Sequence, residues 1–241
     1  GGAVYCAGNA MLNQCSLTGN TATNSYGWGG ALFVEANATA KLNGCTFSGN
    51  RANKGGAIVN YFSDSLTMNQ CTVAGNTAAT AGGLDSYYSD SVVINQSTIC
   101  SNIESCCGGT AIISYDPSQQ QSATLNNSII FGLTGDPDAD LVGAGVPNLT
   151  GHNLIGVEPK LAPLGNYGGR TQTMPPLPGS PAFNDADDSI TNTFATDQRG
   201  FPRAIGFHVD IGATEATNAP FAPSAVTTPG TLVTYTSATL N

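Results

Sequence analysis

Asp64 and Asp90 sit 26 residues apart, each at the centre of the same triplet, Ser-Asp-Ser. Two carboxylates held side by side are what acid–base cleavage of a sugar chain requires. Asp85 lies between them in sequence. Neither triplet brings a Lys or Arg with it, and aspartate is also a common turn residue. A turn role is therefore the reading adopted, with Asp64 and Asp90 as the catalytic alternative. Aromatic residues follow the same offset: Tyr61 with Tyr87, and Phe62 with Tyr88, while Tyr115 lies near the same turn of the next repeat. A row of rings beside carboxylates can hold a sugar by face contact plus hydrogen bonds, and it can also simply stabilise turns by stacking. Tyr26 and Trp28 fall in a short insertion relative to the next repeat, which makes them loop-borne candidates for contact.

The elements that must position these residues follow from the repeat itself. Gly29-Gly30-Ala31-Leu32, Gly55-Gly56-Ala57-Ile58 and Ala81-Gly82-Gly83-Leu84 align without a gap, and the offset carries forward to Asn102. Less regular copies precede and follow. A fixed period of this length, with short apolar runs, signals a solenoid. The runs are too short and too β-leaning for helices, and Asn, Gly, Ser and Asp separate them. Leu66, Met68, Cys71 and Val73 all point inward if the chain bends at Asn69-Gln70. Three short strands and three turns then make one coil of a right-handed parallel β-helix, about 4.8 Å from the next coil.

Equivalent residues must stack in ladders. Two are asparagine: Asn13, Asn43, Asn69, Asn95, Asn126, and Asn20, Asn50, Asn76, Asn102. Stacked asparagines accept left-handed turn geometry and bond each other's amides. Cys15, Cys45 and Cys71, continued by Ser97 and Ser128, form a ladder of small core residues. Ser16, Thr46, Thr72 and Thr98 are expected to face outward, too sparsely for a water-ordering surface.

Charged residues make up only 10 % of the chain and the net charge is −9, so the surface is built from Asn, Ser, Thr and Gln. That balance argues against nucleic acid and against an anionic membrane surface as partners. No apolar run is long enough for membrane insertion by a helix. The seven cysteines do not pair with histidines as zinc ligands do. Cys100 is expected to form a disulfide with Cys106, or with Cys107. Asp136, Asp138 and Asp140 alternate like the carboxylates of a calcium loop, which makes Ca²⁺ a candidate cofactor there. The glycine and the bidentate glutamate of such a loop are missing, so a plain acidic loop is the reading adopted and no cofactor is required.

Gly29-Gly30-Ala31-Leu32 with Phe47-Ser48-Gly49-Asn50, and Gly55-Gly56-Ala57-Ile58 with Val73-Ala74-Gly75-Asn76, resemble the repeats of chlamydial polymorphic outer-membrane proteins. Five blocks in the second half occur in order: Gly151-His152-Asn153-Leu154-Ile155-Gly156, Leu164-Gly165-Asn166-Tyr167-Gly168-Gly169, Leu177-Pro178-Gly179-Ser180-Pro181-Ala182, residues 196–203, and Asp210-Ile211-Gly212-Ala213-Thr214-Glu215. Together they resemble the choice-of-anchor Q region that closes secreted bacterial β-helices. Thr214 stands where that family more often has Phe. The resemblance implies extracellular display in bacteria and no particular reaction.

The organisation expected is coils over 1–131, final coils and a C-terminal cap over 132–215, a linker over 216–229, and a truncated fibronectin-III-like or assembly tail over 230–241. Asp197, Arg199, Arg203 and Asp210 are read as charge pairs closing the last coil. His152 and His208, far apart in the chain, are read as packing residues. The function expected is a rigid structural and adhesive stalk or fibre at a bacterial surface, whose partners are glycans or copies of itself. A polysaccharide lyase or glycoside hydrolase is the alternative.

Overall fold

Leu66 and Met68 alternate with Thr67, and Cys71 and Val73 resume the inward phase beyond a bend at Gln70, whose φ is +53°. All four apolar side chains are completely buried. Burial of each large one contributes roughly 1.5–3 kcal/mol. The bend recurs at Gln14, Gly44, Gln96 and Asn127, each at positive φ. The left-handed residue is thus the one after the ladder asparagine, not the asparagine itself. The asparagine is free to bond along the axis: Asn69 Nδ2 donates to Asn43 Oδ1 at 2.8 Å, and Asn95 Nδ2 to Asn69 Oδ1 at 2.9 Å.

The computed structural model describes residues 1–24, 27–105, 112–115, 123–132, 141–143, 148–204 and 207–216. Its coils stack in parallel. Sheet A contains Leu32–Val34, Ile58–Tyr61, Leu84–Tyr87 and Ile112–Tyr115. Sheet B contains Thr39–Asn43, Ser65–Asn69, Val92–Asn95 and Ala123–Asn126, and sheet C contains Thr46–Ser48, Thr72–Ala74, Thr98–Cys100 and Ile129–Phe131. The partners Leu32, Ile58 and Leu84 confirm the 26-residue register. Leu154–Ile155 is the last strand of sheet C.

A coil has four strands rather than the three expected. Thr21–Ala22, Arg51–Lys54, Thr77–Thr80 and Ile103–Glu104 form sheet D. Its inward residues are the small Ala52 and Ala78, which carry no apolar alternation to announce a strand. Sheet D passes to sheet A through paired glycines. A Cβ on Gly56 would lie 2.2 Å from the Gly82 carbonyl oxygen of the next coil, so the coils can approach only without a side chain there.

Residues 157–204 and 207–216, the return segment, do more than close an end. They fold back along the outside of sheet C. Thr46 Oγ1 donates to the Gln172 carbonyl at 2.6 Å, Thr72 Oγ1 to Gln198 Oε1 at 2.6 Å, and Ala213 N to Thr98 Oγ1 at 3.1 Å. The threonines expected to face solvent are therefore buried. Arg199 pairs with Asp197 at 2.6 Å, as its spacing suggests, but Arg203 pairs with Glu215 at 3.0 Å instead of with Asp210. Asp210 is occupied by backbone, accepting from Asn184 N at 2.7 Å and from Ala216 N. Burial pushes the Glu215 carboxyl up, and the nearby Asp210 carboxylate adds to this, while Arg203 opposes it. His152 and His208 are exposed rather than packed, and His208 Nδ1 lies 2.8 Å from Asp188 Oδ2.

Candidate functional site

In sheet A the side chains that do not enter the core lie on the outer face of the coil, and in successive coils they are Tyr5, Phe33, Val59 and Asp85, of which Val59 and Asp85 are covered. Two residues further along the strand the ladder is Tyr61 beside Tyr87, and Tyr115 continues it through backbone pairing. The rings make a continuous strip parallel to the solenoid axis. Tyr5 stacks on Phe33 at 5.5 Å between centroids, Trp28 lies 6.0 Å from Phe33 and 5.1 Å from Tyr61, and Tyr61 lies 6.5 Å from Tyr87. Trp28 reaches the strip because its backbone bridges to Lys54.

A second file runs beside the first. Phe62 and Tyr88 occupy the turn after each strand, with rings stacked 4.7 Å apart. Both have positive φ, +50° and +49°, a conformation that costs a bulky residue about 1–2 kcal/mol. One coil earlier, after Leu32–Val34, the turn uses Asn37 at φ +58°, a residue that tolerates it. Two aromatic residues kept in a strained turn, with Phe62 45 % exposed, favour a surface role for the rings.

Between the files lies a cavity of about 190 Å³ lined by Trp28, Lys54, Tyr61, Phe62, Asp85 and Tyr87. The Lys54 ammonium sits over two of its walls, 4.9 Å from the Tyr87 ring centroid and 5.4 Å from that of Trp28. Asp85 is only 1 % exposed, and neither carboxylate oxygen has a hydrogen-bond partner among the described residues. Burial pushes its pKa up to about 6; Lys54 opposes the rise, and Glu104 adds to it. A buried carboxylate without a donor is costly, and such groups gather at functional sites. A second hollow of about 310 Å³ adjoins the first across Trp28, between Tyr5, Phe33 and Glu35.

The fold brings Tyr61, Tyr87, Phe62, Tyr88 and Trp28 together on one face. It does not bring Asp64 and Asp90 to the cavity. Both are exposed turn residues, and their N–H groups continue the inter-coil ladder to Ala38 and Ser63 carbonyls, each at 2.9 Å. The carboxylate under the strip is Asp85. Its role was signalled in the register: by the 26-residue offset it stands where the preceding coils have Val59 and Phe33, an acid in an apolar ladder. Lys54 gave no such signal, because its reach to Tyr87 depends on how sheet D turns into sheet A. Tyr26, Cys106, Cys107, Asp136, Asp138 and Asp140 lie outside the described residues. The expected disulfide and the calcium loop fall there with them. Cys100 is buried, with its sulfur 3.3 Å from Ser101 Oγ.

Comparison with known proteins touches the same coils. Residues 44–61 match the Chlamydia polymorphic membrane protein repeat. No curated protein and no solved structure matches the chain. The matched stretch begins at the bend into sheet C and ends at Tyr61, so it contains the Asn50 ladder position, the glycine pair and Lys54. Asn50 explains why such a stretch recurs: its N–H and Nδ2 both donate to Asn76 Oδ1 at 2.9 Å, and Nδ2 also donates to the Leu17 carbonyl at 2.9 Å. One asparagine per coil thereby ties three coils together.

Proposed function

We propose that this chain is a rigid β-helical scaffold displayed at a bacterial outer surface, and that the aromatic face of sheet A holds glycans. The parallel solenoid and the matched repeat support a structural surface protein. The observation that carries the glycan reading is the ring strip from Tyr5 through Phe33, Trp28 and Tyr61 to Tyr87, which stays open while the opposite polar face is covered by the chain's own return segment. Sugar rings present apolar faces that match such a strip, and hydroxyls that match the polar groups beside it.

The test is binding and turnover on immobilised acidic and neutral polysaccharides. Binding without product release, weakened at least about tenfold in the double variant Phe62→Ala/Tyr88→Ala, is expected; two ring contacts account for a loss of that size. Product release that disappears in Asp64→Asn or Asp90→Asn would make the protein a carbohydrate-active enzyme instead. Failure to bind any polysaccharide would leave the strip without this role.

A further inference from the structure

We propose that the Asp85 cavity is a saccharide subsite that takes a neutral pyranose through two hydroxyls on adjacent carbons. The inference rests on the glycan reading and names the part of the sugar that the site reads.

Three observations lead to it. Both oxygens of a carboxylate 99 % removed from solvent lack donors among the described residues. A single hydroxyl supplies one donor for two such acceptors, and a water supplies two but no apolar face for the rings around it, whereas a vicinal diol on a pyranose supplies a pair of donors together with that face. The walls are aromatic: Trp28, Tyr61 and Tyr87 surround the carboxylate, so an occupant must present apolar faces as well as donors. Finally, the cation is already present. Lys54 rests on Trp28 and Tyr87, which places one ammonium beside one carboxylate and disfavours a second cation as ligand. Lys54 retains donors that a ring or glycosidic oxygen can accept.

The position also says why the group persists. The equivalent residue one coil earlier is Val59, and it is buried in the same ladder. A valine at 85 would fit the scaffold and remove the cost of an orphaned carboxylate. An aspartate kept there trades stability for something the scaffold does not need.

Trp28 is the chain's one tryptophan and a wall of the cavity, so its emission reports occupancy directly. The probes are the methyl glycosides of glucose, galactose and mannose, each beside a deoxy counterpart lacking one of two adjacent hydroxyls. Emission and heat are titrated in parallel on the whole chain. A saturable response to at least one glycoside is expected, weakened roughly tenfold by the deoxy change and abolished in Asp85→Val, while the melting temperature of that variant rises. No response from any glycoside, an unchanged response in Asp85→Val, or no preference over the deoxy sugars overturns the subsite. If polysaccharide binding then still depends on Phe62 and Tyr88, the strip keeps its role and only the subsite falls. If no saccharide of any length binds, both fall. A melting temperature lowered by Asp85→Val contradicts the orphaned carboxylate itself.

Discussion

On sheet C the outward residues Thr46, Thr72 and Thr98 are buried beneath a segment that the chain itself supplies. On the sheet A side the rings of Tyr5 and Phe62 remain 57 % and 45 % exposed, and the Asp85 carboxylate in the cavity beside Phe62 has no donor among the described residues. Both faces come from the same coils in the same register. A parallel β-helix fixes which positions point outward but not what covers them. One face has been completed within the chain, with hydroxyls matched to carbonyls and amides. The other offers rings and an unmet acceptor. On the proposed reading, that contrast separates a face left for an external partner from one already filled.

The covered face breaks first at Arg203. It is wholly buried, and its guanidinium holds both Glu215 and the Gly212 carbonyl, each at 3.0 Å. Arg203→Ala leaves Glu215 buried and unpaired, and is expected to cost about 3–5 kcal/mol. Denaturant unfolding measures the loss, and hydrogen exchange should show the Thr72 region losing protection first.

The open face answers to pH. Asp85 has its pKa raised to about 6. Between about pH 4 and 6 the folded chain then holds a proton that the unfolded chain has released. Stability from this group is fully present below that window and falls as pH rises through it. The difference in unfolding free energy between the wild type and Asp85→Val should change across the window by roughly 2–3 kcal/mol, with the variant gaining on the wild type as pH rises. A flat difference would mean that Asp85 finds a donor.

Much of this was legible in the residues. The register from Gly29 to Asn102 placed Tyr61 beside Tyr87 and Phe62 near Tyr88, and predicted the inward phase of Leu66, Met68, Cys71 and Val73. Coverage was not legible. Thr72 reads as an outward strand residue because its burial depends on Gln198, 126 residues away. The pairing of Arg203 with Glu215 rather than Asp210 depends on backbone amides claiming Asp210 first. Sheet D is not legible because its inward residues are alanines, which carry no apolar alternation. Asp64 and Asp90 stand in identical triplets, but it is Asp85, which breaks an apolar ladder, that occupies the cavity.

Smaller changes sharpen the contrast. Thr72→Val strands the Gln198 amide oxygen beneath the return segment, at a cost of about 1–3 kcal/mol by thermal unfolding. Phe62→Ala removes one exposed ring from a stacked pair. It should cost about 1 kcal/mol or less, because alanine keeps the Cβ and with it the same positive-φ strain, yet weaken polysaccharide binding. The ranking matters most here: the change that barely alters folding on sheet A should alter binding, and the change that alters folding on sheet C should not.

Hydroxyl-radical footprinting of the chain with and without a bound polysaccharide tests this division most directly. Protection confined to the rings of the sheet A face, Tyr61 and Tyr87 included, with the return segment unchanged, is the predicted pattern. Protection centred on the return segment, with those rings still fully reactive, would contradict it.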